Sequence, residues 1–293
     1  MSSSIKILSK ERMSLVHDIV AREPPVPMPG KPIECFTTET GLIHNDSDIY
    51  IVTFPKTGTT LIQFICHLIR MLNNTTYDNI EEAIDKALDF DDIHQVCPHT
   101  SSAWFINQNL NCDQIAAPRL FKSHRQLQQL IPNSTATSLK YISTIRDPRT
   151  TLLSIYSFGK ARQTDDHNSD LLSYAKSDKW CKEYNIGSIT TIYDHYVTFW
   201  LCRNCINYLL LPYEDLIIDR TPWLPIIALY MNTPILSTDV IHTINTLTTK
   251  ESMLNMVTKF DENWCKQYSI HINRPHPIIK LVLILLYSLL ILL

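Results

Sequence analysis

Apolar positions along the chain group into two kinds of segment, which predict strands and helices in alternation. The stretch from Ile49 to Phe54 alternates and is rich in β-branched residues, as is typical of a strand. From Thr59 to Leu72 the apolar residues recur at helical spacing, which predicts a helix with one buried face. The same patterns predict further strands at Arg119 to Lys122, Lys140 to Ile145 and Ile206 to Leu211, and further helices at Asn79 to Leu88, from Pro148 onward and at Ile189 to Arg203.

Strands that alternate with helices indicate a parallel arrangement. We therefore expect a single α/β domain with a central, mostly parallel sheet flanked by helices. Residues 22–32, REPPVPMPGKP, hold five of the sixteen prolines and must be extended. The predicted organisation is an N-terminal arm over residues 1–29, the domain over residues 30–269 and an apolar C-terminal tail over residues 270–293.

The two ends of the chain differ in character. The N-terminus, MSSSIKILSKERMSLVHDIV, has no long apolar segment, so it is not a signal peptide and the expected location is the cytoplasm. After Lys280 the chain reads LVLILLYSLLILL, thirteen residues that are apolar except for Ser288. This run is shorter than the ~20 residues that usually span a bilayer. A short membrane anchor over residues 278–293, a buried terminal helix and a mistaken reading frame all stay open as explanations.

Composition narrows the classes of ligand. The chain is 45% apolar and 19% charged, within the range of ordinary globular proteins, and its formal net charge is −3. Because there is no basic excess, we expect no nucleic-acid partner, and an anionic ligand must be held by a few placed groups. Cys202 and Cys205 form a C-x-x-C that could indicate redox or zinc chemistry, but no second pair lies near. Two half-buried thiols are the favoured interpretation, and no metal is predicted.

The segment FPKTGTT, residues 54–60, lies between the first predicted strand and its helix. Backbone N–H groups at a helix start form a ready site for an anion. Gly58 allows a tight loop, Lys56 adds a positive charge, and the neighbouring threonines add hydroxyl donors. The Walker pattern is absent because the lysine precedes the glycine by two residues. The sequence therefore predicts a phosphate loop of another kind, with a capped strand-to-helix turn as the alternative.

Two further segments place chemistry at the ends of predicted strands. Arg146 ends the strand that begins at Lys140, so in a parallel sheet it would face the same rim as Lys56 and could hold a second phosphate. A surface pair with Asp147 is the alternative. In RLFKSHRQL, Lys122 and His124 lie two residues apart and so on the same side of a strand. A histidine beside an anion site is a candidate general base, with a structural role as the alternative.

Four ordered motifs resemble those of the cytosolic sulfotransferase family. FPKTGTTL resembles the family's 5′-phosphosulfate loop, typically YPKSGTTW, and PRLFKSHRQL resembles P-R-x-x-K-T-H-L-P. IRDPRTTLLSIYSF is similar to R-N-P-x-D-x-x-x-S-x-x-x-F, with Arg146, Ser154 and Phe158 in register. LLLPYEDL is similar to the family's strand-end Y-E-D-L, and this similarity implies that Tyr213 lies at the adenine. The resemblance covers roughly residues 30–269.

The resemblance implies in-line transfer of a sulfuryl group from 3′-phosphoadenosine 5′-phosphosulfate (PAPS), a co-substrate, to the hydroxyl of a small alcohol or phenol, without a metal. His124 would take the hydroxyl proton, while Lys56 stabilises the leaving phosphate and Lys122 the sulfuryl oxygens. Phe158 is a candidate wall of the acceptor pocket. The residues implied to bind the nucleotide are Lys56, Thr57, Gly58, Thr59, Thr60 and Leu61 in the loop, Arg146 and Ser154 at the 3′-phosphate, and Tyr213, Thr248 and Thr249 at the adenine.

The sequence also departs from the family pattern. Leu61 stands where the family has an adenine-stacking tryptophan, and the terminal R-K-G is missing, with only Lys259 nearby. These losses support a second hypothesis, a weak or inactive nucleotide-binding relative at a membrane. A nucleotide kinase is disfavoured because the Walker lysine position is absent. The family's short dimer motif is not found, so the oligomeric state stays open. The acceptor pocket would be built by the irregular segments 23–36, 97–118 and 161–188.

Overall fold

The computed structural model describes residues 44–73, 77–100, 113–125, 130, 139–161, 170–177, 182–185, 188–201 and 207–260. Four parallel strands of these residues form a sheet in the order β2-β1-β3-β6. The strands are β1 (Ile49–Val52), β2 (Leu120–Ser123), β3 (Lys140–Ile145) and β6 (Asn207–Pro212). Since every strand runs the same way, the residues that follow their carboxyl ends meet at one edge of the sheet. The predicted α/β class with a central parallel sheet is confirmed.

Helices cover both faces of the sheet. The long helices are α1 (Thr59–Leu72), which follows β1, and α4 (Pro148–Ala161), which follows β3. The remaining helices are α2 (Ile80–Ala87), α3 (Ile93–Val96), α5 (Leu171–Lys176), α6 (Ile192–Leu201), α7 (Tyr213–Ile218), α8 (Trp223–Tyr230), α9 (Thr238–Leu247) and α10 (Lys250–Asn255), followed by a 3₁₀ turn (Val257–Phe260).

The core lies on the two faces of the sheet, and alternate residues of each strand point to opposite faces. On one face, Ile49 and Ile51 pack with the buried side of α1 and with α8 and α9. On the other face, Tyr50 stacks against Phe121, with ring centroids 5.2 Å apart. Residues of β1 are almost completely buried on both sides, as is typical of a central parallel strand. The loop after β1 is therefore attached to a strand that is buried on both faces.

A buried ion pair closes the amino-terminal edge of the sheet. Arg119 donates from Nε and Nη2 to the two carboxylate oxygens of Asp48, at 2.8 Å and 2.6 Å. The backbone N–H of Ile49 donates to the carbonyl of Arg119 at 3.0 Å, so the same residue also starts the β1–β2 ladder. The pair fixes the register of these two strands, and their carboxyl ends are aligned as a result.

The polar residues Arg70 and His67 of α1 hold the segments packed around that helix. Arg70 is buried and donates to the carbonyls of Val96 at 2.6 Å and Pro118 at 2.8 Å. His67 donates from Nε2 to the carbonyl of Ala87 at 2.9 Å, and its Nδ1 accepts from Arg70. Burial, followed by the neighbouring guanidinium, lowers the pKa of His67 to about 3. These contacts fix the short helix α3 beside α1.

Several element boundaries differ from the sequence prediction. Residues 161–188 were expected to form a polar surface loop that leads to a small helix, and α5 lies among them. Strand β4 (Lys182–Asn185) also lies in this segment and pairs antiparallel with β5 (Ser188–Thr191). Because β5 takes the first residues of the predicted helix Ile189 to Arg203, α6 begins at Ile192. The short helix α3 was not predicted. The N-terminal arm, the C-x-x-C and the apolar tail lie outside the described residues.

Within the part of the chain that the structure describes, no helix is both long and apolar enough to cross a bilayer. The tail over residues 278–293 lies beyond those helices, so its predicted alternatives stay predictions.

Candidate active site

The loop between β1 and α1 has the backbone geometry of an anion site. Lys56 and Gly58 both have positive φ angles, 66° and 106°, so the chain turns twice before α1 begins. The N–H of Ile62 makes the first helical bond, to the carbonyl of Gly58 at 3.1 Å. The N–H groups of the three residues before it precede this ladder and add to the positive end of the helix dipole. The loop is thus shaped to receive a negative charge.

Gly58 is required by its neighbour as well as by its φ angle. A Cβ built at this position would lie 2.5 Å from Cδ2 and 2.8 Å from Cε2 of Tyr213. The tyrosine begins α7 directly after β6, so its ring rests against the loop from two strands away. This close approach places Tyr213 beside the predicted phosphate loop.

Threonine hydroxyls brace the loop from beneath. Thr57 donates from Oγ1 to the carbonyl of Phe54 at 2.7 Å and accepts from Thr144 of β3 at 3.0 Å. The hydroxyls of Thr53 and Thr59 are 2.6 Å apart. Because these side chains are buried, Thr57 and Thr59 hold the loop to the strand ends through their hydroxyls. Thr60 is half-buried at the start of α1.

Arg146 connects the end of β3 to this loop. Its Nη1 donates to the carbonyl of Lys56 at 2.6 Å, and its Nε donates to Oγ1 of Thr150 at 3.0 Å. The guanidinium carbon lies 4.4 Å from the centroid of the Tyr213 ring, as in a cation–π contact. Lys56, Gly58, Arg146 and Tyr213 therefore form one cluster, although the first and third are ninety residues apart in sequence.

The ion pair of Asp147 is formed with Arg149, and not with Arg146 as in the alternative interpretation. Asp147 is bound by Arg149, with Nη2 and Oδ2 2.5 Å apart. Hydrogen bonds from the Arg149 side chain are the largest cause that lowers the pKa of Asp147. The hydrogen-bond acceptors of the Arg146 side chain are an uncharged carbonyl and an uncharged hydroxyl. Its positive charge is thus oriented by neutral groups.

The helix after β3 supplies two of the predicted residues. The ammonium of Lys56 lies 4.2 Å from the centroid of the Phe158 ring, so this phenylalanine lines the same cluster. Ser154, one turn earlier on α4, is 6% exposed. Thr151 begins the buried side of the helix and donates to the carbonyl of Asp147 at 3.1 Å. Helix α4 therefore runs along the cluster that Lys56 and Arg146 form.

His124 follows β2 at the same edge of the sheet. Its Nδ1 is 2.8 Å from the carbonyl of Thr53, which can only accept, so Nδ1 carries the proton and Nε2 carries the lone pair of the neutral ring. His195 of α6 donates from Nε2 to the carbonyl of His124 at 3.1 Å. The ring of His124 is thus oriented by the strand that precedes the loop, and its main chain is held by a second histidine.

Cationic and imidazole groups surround this histidine. The rings of His99 and His124 meet edge to face, with centroids 5.6 Å apart. His99 is buried, and this burial, followed by the charge of Lys122, lowers its pKa well below the usual value. Lys122 itself is 5% exposed, and its ammonium is 3.2 Å from Nε2 of His94. The edge of the sheet therefore carries positive charge on both sides of the loop.

Other predicted nucleotide contacts lie in different surroundings. Leu61 is buried in the apolar core on the α1 face. Thr248 is also buried, donates to the carbonyl of Ile244 at 2.6 Å and accepts from Arg220 at 2.9 Å. Thr249 is exposed and caps α10 through the N–H of Ser252. The hydrogen-bond partners of Thr248 and Thr249 are thus residues of their own segment and Arg220.

Lys259 also binds groups outside the Lys56 cluster. Its ammonium donates to the carbonyls of Leu88 at 2.9 Å and Phe90 at 2.6 Å, directly after α2. The lysine that stands nearest to the missing R-K-G therefore stabilises a helix end. Within the described ranges, no group of three or more His, Cys, Asp or Glu side chains could hold a metal ion.

Comparison with protein families decides the class of the chain. A family model described as a sulfotransferase domain matches residues 46–272, which is more than half of the chain. The chain belongs to the sulfotransferase family.

Curated relatives of this sulfotransferase chain come from plants and animals. It is 24% identical over 173 residues to cytosolic sulfotransferase 12 of Arabidopsis thaliana. The aligned region covers 58% of this chain and 51% of the relative. It is 29% identical over 178 residues to the 3-beta-hydroxysteroid sulfotransferase of Cavia porcellus, which covers 59% of this chain and 55% of the relative. The chain thus spans about half the length of the curated relatives it matches.

Solved structures share the fold of this sulfotransferase chain. Retinol dehydratase in complex with androsterone and the inactive cofactor PAP has a TM-score of 0.60 at 16% identity, over 83% of this chain and 75% of that one. A putative steroid sulphotransferase of Arabidopsis thaliana has a TM-score of 0.51 at 19% identity, over 73% and 72%. At these identities the likeness establishes the fold.

Some residues of the candidate site were not predicted from the sequence. Tyr196 of α6 accepts from the N–H of Arg146 at 3.0 Å and donates to its carbonyl at 2.8 Å. Glu214, directly after Tyr213, accepts from the N–H of Asp147 at 3.0 Å. Both side chains fix the turn after β3. The Y-E-D-L resemblance pointed to the region of Glu214, whereas no feature of the sequence pointed to Tyr196.

Proposed function

We propose that this chain transfers a sulfuryl group from PAPS to the hydroxyl of a small alcohol or phenol, with His124 as the general base. The observation that carries the proposal is the cluster at the carboxyl edge of the sheet. The Lys56 loop is bound to Arg146 at 2.6 Å and, through the strand residue Thr53, to His124 at 2.8 Å. A phosphate-type loop, a second cationic group and an oriented base on one edge fit a nucleotide with two phosphoryl ends.

The tautomer of the His124 ring suits the role of a general base. Because Nδ1 donates to the carbonyl of Thr53, the basic nitrogen of the ring is Nε2, the atom that would take the proton of an acceptor hydroxyl. The acceptor oxygen would form the new bond to sulfur while the bond from sulfur to the leaving phosphate oxygen breaks. The hydroxyl proton would move to Nε2. Lys56 would stabilise charge on the leaving oxygen and Lys122 the charge on the sulfuryl oxygens, an electrostatic contribution that is often the largest in catalysis.

The nucleotide would lie along the cluster. The positive-φ loop and the N-terminus of α1, with Thr59 and Thr60, would hold the 5′-phosphosulfate. The Arg146 fork and Ser154 would hold the 3′-phosphate, and Tyr213 would lie at the adenine. Phe158, which contacts Lys56, would form part of the acceptor wall. The burial of Leu61 and Thr248, and the cap that the exposed Thr249 forms at α10, support a smaller part for those positions than the family pattern implies.

Direct assay of the full chain tests the proposal. The protein is incubated with PAPS carrying ³⁵S and a panel of phenols, sterols, aliphatic alcohols and amines. We expect labelled product with at least one acceptor and an increase in the thermal midpoint with adenosine 3′,5′-bisphosphate (PAP). The variant His124→Ala should lower kcat by about 10²-fold or more while PAP still binds. The matched control His242→Ala changes an exposed histidine of α9 and should keep full turnover.

Each outcome of this assay has a defined meaning. Absence of both product and a PAP-dependent thermal shift rules the proposal out. Full turnover by His124→Ala shows that the base is another group. The second candidate is a nucleotide-binding relative with little or no turnover. It is favoured by Lys259, whose ammonium donates to carbonyls after α2. A PAP-dependent shift without product from any acceptor would support that candidate instead.

A further inference from the structure

Three buried side chains, Asp92, His94 and Lys122, form a hydrogen-bonded chain that ends at the lysine. Oδ1 of Asp92 lies 2.7 Å from Nδ1 of His94, and Nε2 of the same imidazole lies 3.2 Å from the ammonium of Lys122. Exposure is 1% for Asp92, 3% for His94 and 5% for Lys122. Buried polar groups of this kind are costly unless they are fully bonded. The carboxylate and the imidazole have no part in the chemistry described above.

The protonation of the chain follows from its donors and acceptors. A lysine ammonium has three donors and no acceptor, so Nε2 of His94 must accept from it. The remaining ring proton is then on Nδ1, which donates to the acceptor-only carboxylate of Asp92. The imidazole is therefore neutral and in a single tautomer, which the carboxylate determines. A carboxylate that selects the tautomer of a histidine in this way also fixes the direction of its ring.

Local structure fixes the acceptor end of this chain, which is Asp92 and His94. Asp92 is the N-cap of α3, and its Oδ1 also accepts from the backbone N–H of His94 at 2.9 Å. The side chain of Gln95 reaches back to the N–H of Asp92, which completes a capping box. A single carboxylate oxygen thus binds both the backbone and the ring of His94. The ring has little freedom to rotate.

The backbone of Lys122 is equally fixed. Its N–H donates to the carbonyl of Pro98 at 2.8 Å, and its carbonyl accepts from the N–H of Thr100 at 2.9 Å. On its other side it pairs with Ile51 of β1. With the main chain held by two neighbours, the position of the ammonium depends on its side-chain torsions, and His94 contacts the end of that side chain.

We propose that Asp92 and His94 are positioning residues for Lys122, which hold its ammonium in place for the sulfuryl transfer proposed above. The arrangement has an electrostatic advantage over a direct lysine–carboxylate pair. Coulomb attraction falls with distance, so a carboxylate placed behind an imidazole neutralises the ammonium less than one in contact with it. Lys122 stays oriented and keeps its charge for an anionic group, and the buried charges of the chain still sum to zero.

Three substitutions in the full chain test this inference, which rests on the proposed function. Asp92→Asn keeps an N-cap residue but replaces the acceptor-only carboxylate with an uncharged amide, which can present either its oxygen or its NH₂ group to Nδ1 and so no longer selects the tautomer. We expect kcat to fall about tenfold or more, because misplacement of a catalytic group by about 1 Å can cost as much as 10²-fold, while the PAP Kd changes by less than about twofold. His94→Leu should behave alike. In a Lys122→Met background, His94→Leu should change kcat by less than about twofold, because the group it orients is gone.

Two further variants separate positioning from folding. His94→Gln places an amide oxygen where Lys122 can donate, so it should recover kcat relative to His94→Leu. His67→Gln is the matched control, because His67 of α1 is also a buried, hydrogen-bonded histidine but contacts the end of α2. It should lower the thermal midpoint without lowering kcat. These readouts stay interpretable even if His94→Leu fails to fold.

The inference and the proposed function can fail separately. Full kcat in Asp92→Asn, or losses from His94→Leu and Lys122→Met that multiply in the double variant, overturns the positioning role while sulfuryl transfer stands. A loss confined to the thermal midpoint overturns it too. If the wild-type chain forms no labelled product from any acceptor, the proposed function is overturned and the inference with it.

Discussion

Replacement of Gly58 by alanine isolates the steric requirement of the phosphate-type loop. The new methyl group meets two separate penalties. The backbone has φ 106°, which an L-residue with a Cβ adopts only with strain, and the Cβ itself would lie 2.5 Å from Cδ2 of Tyr213. Real Cβ atoms do not approach carbon so closely, so either the loop or the ring must move. We expect Gly58→Ala to destabilise the protein and to weaken PAP binding.

The magnitude can be worked from these two terms. Left-handed geometry costs a residue with a Cβ about 1–2 kcal/mol. Overpacking against a ring that is held by its own strand and by the Arg146 guanidinium adds about 1–3 kcal/mol. The total, about 2–5 kcal/mol, corresponds to a decrease in the thermal midpoint of roughly 5–15 °C for a chain of this size.

A double-mutant cycle on the free energy of unfolding separates the two terms. Tyr213→Ala removes the ring that Gly58→Ala would meet, so the double variant should retain the backbone strain and lose the clash. Urea unfolding of the four proteins should therefore give a coupling energy of about 1–3 kcal/mol between the positions. If the two changes add within about 0.5 kcal/mol, the ring does not constrain the loop and the steric argument is refuted.

Two further predictions concern the stability of the fold, one through its pH dependence and one through Lys259. Burial lowers the pKa of His195 to about 4, so this histidine takes up a proton in the unfolded chain at a pH where it stays neutral in the folded chain. The contribution of His195 to stability should be full above pH 6.5 and fall by about 2 kcal/mol by pH 5, and in urea unfolding the pH dependence of the free energy should shrink by that amount in His195→Gln but not in His242→Gln. Lys259→Met should lower the free energy of unfolding by about 1–3 kcal/mol, because the carbonyls of Leu88 and Phe90 lose a charged donor. Calorimetry should give an unchanged Kd for PAP. A Kd weakened tenfold would instead place Lys259 at the nucleotide.

Long apolar segments made the sheet predictable from the sequence. β3 was predicted with the bounds that the structure has, because Lys140–Ile145 lies between a polar stretch and a charged turn and pairs on both sides. α1 was likewise predicted at Thr59–Leu72. The antiparallel pair β4–β5 was not predicted, since KEYN and SITT have no alternation of apolar and polar residues. Their strand conformation depends on pairing with each other, which periodicity does not encode.

The candidate site was predictable to the extent that it follows strand ends. Lys56 and Arg146 come after parallel strands, so their meeting at one rim follows from topology. The contact between Nη1 and the carbonyl of Lys56 depends on the positive φ of that lysine, which no neighbouring residue signals. Asp92 and His94 were missed for a different reason. Their significance depends on Lys122, twenty-eight residues after His94, and only the packing of α3 against the sheet brings the three together.

The orientation of Arg146 explains how a site without the family's R-K-G could still hold an anion. Its fork is bound at Nε and Nη1 by neutral acceptors and rests on the Tyr213 ring, while the neighbouring Asp147 is bound by Arg149. Immobilising a flexible side chain on binding costs about 0.5–1.5 kcal/mol, and here folding has already imposed that order. Because the acceptors are neutral, the positive charge is oriented without being cancelled. One fixed guanidinium can therefore replace part of the attraction that the arginine and lysine of the missing R-K-G would supply.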